Sequence, residues 1–371
     1  MTEVQVLSLQ STVVWAIFAV AFLLGVVMSR SNFCTMGAVS DIVNMGDWTR
    51  MRMWLFAIAI AIAGTSLLAF TGWINLSSSI YTGNKVLWLS NLIGGLLFGF
   101  GMVLASGCGS KTLIRLGSGS LKSLFVFIVM GLFAYMTLRG IFGVFRVNFL
   151  DPVVINLSGT QDVASLIASS GGSGTPIVRL VIALAIASCV GLFCIKSKEF
   201  RSANALVSSV LIGLAIVAGW YVSGTIGNVD EDPRTLAQAY LSTNSGKMES
   251  FSFVAPAAYT LELLMFWSDK SRVVTYGIAA TLGMVAGAAI DALVSRNFRW
   301  EGFSGAEDTA NHLVGAALMG IGGVLAIGCT VGQGLSGLST LGLGSIIAFG
   351  AILVGGKFGL SYQMWRVNKM V

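Results

Sequence analysis

A stretch of 17 residues occurs twice in this chain: LIGGLLFGFGMVLASGC, Leu92 to Cys108, returns as LVGAALMGIGGVLAIGC, Leu313 to Cys329, with 10 of the 17 positions identical and no gap. Both copies are apolar over a membrane-crossing length, and both end in Gly-Cys. An internal duplication of this kind is a mark of transport proteins built from structural repeats, in which a substrate site lies where the halves meet near the bilayer midplane. It predicts that Cys108 and Cys329 face each other.

Hydrophobic residues make up 55% of the chain and charged residues only 10%, with a mean hydropathy of +0.84. Such a chain cannot cover itself with a polar surface, so the composition predicts an all-α integral membrane protein. Crossing a hydrocarbon core of roughly 30 Å takes about 20 apolar residues. Runs of that length lie at 12–29, 52–72, 87–106, 121–144, 177–195, 204–224, 273–294, 310–328 and 341–359, nine expected transmembrane helices. The alternating pattern of a membrane barrel is missing. No cleavable signal peptide stands out, so the N-terminal run is expected to remain in the mature protein.

Lysine and arginine are retained on the cytoplasmic side. Assigning the 22 basic residues to alternate loops puts 14 on one side and the other 8 opposite. This places the N-terminus outside and the C-terminus in the cytoplasm. The acidic, Ser-rich stretch NVDEDPRTLAQAYLSTNSGKMES and the Gly/Ser-rich SGTQDVASLIASSGGSGTP then fall outside.

The repeat extends beyond the quoted copies. Phe33 to Ala38 aligns with Phe253 to Ala258 at an offset of 220, against 221 for the cysteine-ending copies. Each half reads as span, short segment, span, span, short segment, span. Because the halves begin five spans apart, the second is inverted relative to the first. Residues 1–150 form the first repeat, 151–200 an external loop and connector span, and 201–371 the second repeat. Four short segments, about 33–47, 108–120, 252–269 and 329–340, are expected to be re-entrant half-helices lining a path, since non-helical backbone at membrane depth survives only inside protein or beside a wet cavity. Helix N-termini there favour an anion. Gly107, Gly109, Gly328, Gly332 and Gly334 allow close backbone approach. With Lys111 and Gln333 they are the expected path-lining residues.

Three segments, VVMSRSNFCTMGAVSD, FGFGMVLASGCGSKTLIRLGSGS and MGIGGVLAIGCTVGQGLSGL, resemble the signature regions of the YeeE/YedE family of bacterial thiosulfate and sulfur-compound transporters. The resemblance covers nearly the whole chain. It implies an hourglass-shaped inverted-repeat protein of the inner membrane that takes up thiosulfate, relayed by three cysteines that fall here on Cys34, Cys108 and Cys329. It also implies a small cytoplasmic sulfur-handling partner of the TusA type. The chain departs from the family pattern at Ser106-Gly107-Cys108 and Ile327-Gly328-Cys329, where relatives often have Gly-Gly-Cys, and at Lys111, where small residues are more usual.

The chemistry stands beside the resemblance. Thiosulfate carries two charges and one soft terminal sulfur. A thiol buried in apolar surroundings stays S–H and is a weak donor, whereas a thiolate would repel the dianion. Several substrates remain open: thiosulfate, sulfite, a selenium oxyanion, or a persulfide or polysulfide. A membrane-embedded thiol or persulfide redox enzyme is the alternative class, although the expectation is that the chain is not an enzyme. With no Walker-type loop, direct ATP drive is not expected; Asp41, Glu262 and Asp291 are the candidates for proton coupling. Five cysteines and one histidine without C-x-x-C spacing predict no metal and no cofactor, and the dispersed basic residues predict no nucleic-acid partner. Cys189 and Cys194, on the unrepeated span, are expected to be packing residues. His312 is expected at the interface, Gly94, Gly95, Gly99 and Gly101 in helix packing, and Trp73, Trp88, Trp220 and Tyr221 as interface anchors.

Overall fold

The computed structural model describes residues 3–170, 176–233 and 236–370. Residues 171–175 of the Gly/Ser-rich loop and 234–235 of the acidic loop lie outside that set. The described chain is mostly helical. Its helices are α1 (Glu3–Arg30), α2 (Thr35–Met45), α3 (Thr49–Phe70), α4 (Trp88–Leu104), α5 (Gly109–Gly117), α6 (Leu121–Leu138), α7 (Ile141–Phe145), α8 (Val163–Ser170), α9 (Pro176–Ile195), α10 (Ala203–Tyr221), α11 (Ala255–Met265), α12 (Tyr276–Val294), α13 (Ala306–Leu325) and α14 (Leu343–Met370). Four two-residue strands, β1 (Lys85–Val86), β2 (Ile155–Asn156), β3 (Asn228–Val229) and β4 (Ala239–Tyr240), make two antiparallel pairs in the loops, β1 with β2 and β3 with β4.

Eight helical stretches among the described residues are long and apolar enough to cross a membrane: Val4–Met45, Thr49–Phe70, Trp88–Gly117, Leu121–Leu138, Pro176–Ile195, Ala203–Ile226, Tyr276–Val294 and Leu343–Lys369. The run expected at 310–328 is α13, a 20-residue helix that opens on Glu307 and Asp308. Those carboxylates are paired, Asp308 with Lys122 at 2.9 Å and Glu307 with Arg366 at 2.9 Å.

The two halves of the chain interlock. α1 packs along α12 and α3 along α10; α4 packs along α14 and α6 along α13. At the centre α4 and α13 cross antiparallel through the duplicated glycines. A methyl group on Gly94 would lie 2.7 Å from the Gly322 carbonyl oxygen, and one on Gly101 would lie 2.7 Å from that of Gly315. Gly315 and Gly322 are the copies of Gly94 and Gly101, so each half presents the same face to the other. Contacts this short exclude any side chain and bring the two backbones together, as small-residue seams do in membranes. Gly95 and Gly99 meet the backbone of α14 in the same manner.

Arginines hold the ends of the bundle. Arg30 pairs with Asp291 at 2.6 Å and Arg50 with Asp41 at 3.2 Å, while Glu262 receives both Arg139 (3.2 Å) and Arg272 (3.1 Å). The three carboxylates considered for proton coupling are thus each held by arginine. Trp220 differs from expectation. It is fully buried, its indole N–H donates to Ser339 Oγ at 2.9 Å, and it stands edge-on to Tyr81, so it is a core residue and not an interface anchor. The apolar run that contains Trp220 gives no sign of this polar partner, which comes from 119 residues away. Trp73 is exposed and packs on Tyr221. On the peripheral helix α9, Cys194 is buried and Cys189 exposed.

Candidate functional site

The two cysteine-ending copies close their helices in the same way. After α4 the chain turns through Ser106 at φ +54°, and the Gly107 N–H donates to the Met102 carbonyl at 2.8 Å; after α13 it turns through Ile327 at φ +57°, and the Gly328 N–H donates to the Gly323 carbonyl at 2.8 Å. Both are left-handed C-caps of the kind usually occupied by glycine. Each turn delivers a cysteine to the start of a short helical segment. Cys108 is the N-cap of α5, and Cys329 precedes a segment that is π-helical over Gly332–Gly337. A third short helix, α2, starts in the same way: Cys34 is its N-cap, in extended conformation, and its Sγ accepts from the Gly37 N–H at 3.5 Å. Cys329 Sγ accepts from the Gly332 N–H at 3.4 Å.

The three thiols are free, buried and close together. Cys34 and Cys108 are side-chain neighbours, and Cys108 is also an electrostatic neighbour of Cys329. Cys108 is thus the thiol that neighbours both of the others. Ser110 Oγ lies 3.3 Å from Cys108 Sγ. Lys111 is a charge neighbour of Cys34 and Cys108, with its ammonium 3.4 Å from Asn32 Oδ1, and Arg115 donates to the Ser106 carbonyl at 2.8 Å.

A cavity approaches the cluster at each end of the α4/α13 pair. The larger, about 350 Å³, runs from Asn244, Lys247 and Glu249 past Arg146, Tyr259 and Ser252 to Ile327 and Gly328, immediately before Cys329. The smaller, about 190 Å³, runs from Glu301, Lys122 and His312 past Arg115 to Ser106 and Gly107, immediately before Cys108. In the larger one the loop residue Glu249 accepts from the Ser245 N–H at 3.0 Å, and burial pushes its carboxyl up from the ordinary carboxylate range. His312 is buried in the smaller, with Nδ1 3.0 Å from Asp308 Oδ1.

The remaining residues singled out in the sequence are distributed as follows. Gly107 and Gly328 line the cavities. Gly109 begins α5 with room for a methyl group against Met130 and Phe253. Gly332 stands against Ser252 and Tyr81, and Gly334 against Phe349 of α14. Gln333 donates its side-chain amide to the Ala326 carbonyl and so caps α13. Sequence reading missed Arg146, Lys247, Glu249, Tyr81 and Thr330. Thr330 is signalled by its place directly after Cys329, whereas Tyr81, Lys247 and Glu249 sit on loops outside both copies and Arg146 opens a π-helical turn. Among the described residues no three His, Cys, Asp or Glu side chains are grouped to hold a metal ion.

The chain matches the family described as sulphur transport over residues 30–358. It is 26% identical over 331 residues to the thiosulfate transporter TsuA of Escherichia coli (strain K12), covering 84% of this chain and 84% of that protein. It is 25% identical over 331 residues to the thiosulfate transporter TsuA of Spirochaeta thermophila, covering 88% of this chain and 91% of that protein. Both relatives are named as transporters and not as enzymes.

Proposed function

The chain belongs to the sulphur transport family, and from that premise we propose that it takes up thiosulfate, or a closely related small sulfur-containing anion, across the bacterial inner membrane. The observation that carries this reading is the group of three buried thiols gathered around Cys108, with one cavity reaching Gly328 before Cys329 and another reaching Gly107 before Cys108. In it α13 is a ninth span. The segments α2, α5, α11 and 329–340 are re-entrant, residues 1–150 and 201–371 are inverted repeats joined by 151–200, and the cavities are the two bulbs of an hourglass. The reciprocal contacts of Gly94 with Gly322 and of Gly101 with Gly315 support the inverted arrangement. The N-terminus is periplasmic and the C-terminus cytoplasmic. Anions enter by the larger cavity, pass the thiols by successive weak S–H contacts and leave beside Lys111, where a TusA-type sulfur carrier collects them. Binding at each station must be weak enough to release.

A negative interior opposes this traffic. Two charges crossing 100 mV cost about 4.6 kcal/mol, at about 2.3 kcal/mol per charge, so accumulation requires removal of the anion on the inner side or coupling to a second ion. The test is uptake into reconstituted vesicles offered thiosulfate, sulfate, sulfite and selenium analogues in turn. Cys108→Ala and Cys329→Ala are expected to abolish thiosulfate uptake; normal rates in both would end the relay. The adjacency of Cys34 and Cys108 carries a second reading, a membrane-embedded thiol or persulfide redox enzyme that needs a reductant. Partial uptake by Cys→Ser variants excludes obligatory redox cycling.

A further inference from the structure

Among the buried hydroxyl groups without hydrogen-bond geometry to any partner in the described residues are two that neighbour the thiols of Cys329 and Cys108. They belong to Tyr81, which is 3% exposed, and Thr330, which is fully buried. Native folds rarely leave a buried hydroxyl unmatched, because its lost hydration is not restored by anything else. They come from different elements. Tyr81 comes from the loop after α3, packs its ring against Trp220 and is an electrostatic neighbour of Cys329. A methyl group added at Gly332 would stand 3.3 Å from its Oη and 2.8 Å from Ser252 Oγ, and Ser252 lines the larger cavity. The missing side chain at Gly332 therefore leaves the phenol an open approach. Thr330 follows Cys329 in sequence, and the Cys108 thiol is a side-chain neighbour of its hydroxyl without meeting hydrogen-bond geometry.

We propose that Tyr81 and Thr330 are specificity-determining residues whose O–H groups donate to the oxygen atoms of the transported anion while the thiols meet its terminal sulfur. The assignment rests on the transport reading above and adds the other half of the recognition. A thiosulfate ion presents three hard oxygens and one soft sulfur, and thiols alone would treat any soft anion alike. Neutral hydroxyl donors match the oxygens without fixing the dianion as a lysine or arginine would, which keeps the site able to release. Tyr81 neighbours Cys329 and Thr330 neighbours Cys108, so one hydroxyl accompanies each of these two thiols.

The experiment uses the purified full chain in detergent, with calorimetric titration of thiosulfate and thermal unfolding of the unliganded protein. Tyr81→Phe and Thr330→Val each remove one hydroxyl at nearly constant volume. A hydrogen bond to a charged acceptor corresponds to about tenfold or more in affinity, so each variant should bind thiosulfate about tenfold more weakly. Thr330→Ser should restore the affinity. The unliganded Tyr81→Phe variant should melt no lower than the parent, because that hydroxyl has no protein partner to lose. Unchanged affinity in both variants overturns the assignment, as does a loss of affinity that goes with a lower melting temperature and is not rescued by serine. A parent protein that does not bind thiosulfate overturns the transport reading itself, and the assignment with it.

Discussion

The twin turns before Cys108 and Cys329 make a prediction whose sign is opposite to ordinary experience. At a helical position, replacing alanine by glycine costs about 1 kcal/mol. Ser106 and Ile327 instead sit at φ +54° and +57°, where an L side chain costs roughly 1–2 kcal/mol through crowding of its Cβ against the carbonyl. Glycine removes that cost but returns about 0.4–1 kcal/mol of freedom to the unfolded chain. The balance favours glycine over alanine by about 0.5–1 kcal/mol at each site. The comparison must be glycine against alanine at the same position. Ile327 is 37% exposed, and its buried part contributes about 1–2 kcal/mol, so Ile327→Gly by itself should be near neutral. Equilibrium unfolding in mixed micelles would measure the four variants Ser106→Ala, Ser106→Gly, Ile327→Ala and Ile327→Gly. Gly350 of α14, where a methyl group meets nothing within 4 Å, supplies the control: Gly350→Ala should stabilise. If alanine equals or exceeds glycine at both 106 and 327, the left-handed turns are not what aims the cysteines.

Two further outcomes follow from packing and charge. Gly99→Ala would put a methyl group 2.1 Å from the Ile352 carbonyl oxygen, forcing α4 and α14 apart, and should cost about 3 kcal/mol in the same unfolding assay. For Glu249, burial favours the protonated carboxyl, so the folded state binds the proton more tightly than the unfolded chain. Its contribution to stability is then lost as pH rises from the unfolded value toward the raised folded one, and Glu249→Gln should stabilise the protein at neutral pH, with the gain vanishing in acid. The same variant removes a negative charge from the larger cavity and should lower the half-saturating thiosulfate concentration for uptake.

The class of fold was legible because hydropathy reports burial in lipid directly, but helix ends were not. α1 begins at Glu3 and α13 at Ala306, ahead of their apolar runs at 12 and 310. In α13 the polar first turn is satisfied by Lys122 and Arg366, partners that no window of sequence contains. The glycines of the duplicated segment were legible as packing residues, since only close backbone approach explains their spacing. Cys108 and Cys329 stood out through the duplication, and Cys34 through resemblance to a family. Tyr81 did not. It lies on a loop without repeat or motif, and the role proposed for it rests on burial, a missing partner and the bare Cα of Gly332 taken together. Trp220 was misread for a related reason: tryptophan near the end of an apolar run looks the same whether its N–H meets lipid headgroups or Ser339.

The seam of α4 and α13 is reciprocal, yet the helical segments that follow it are not. Lys111 and Arg115 of α5 have Gly332 and Ser336 as their counterparts one repeat later. The segment after Cys108 thus carries two cations where the segment after Cys329 carries none. Such lopsidedness cannot power net flow, because detailed balance forbids it. On the transport reading proposed above, Lys111 and Arg115 lengthen an anion's stay on their side of the thiols.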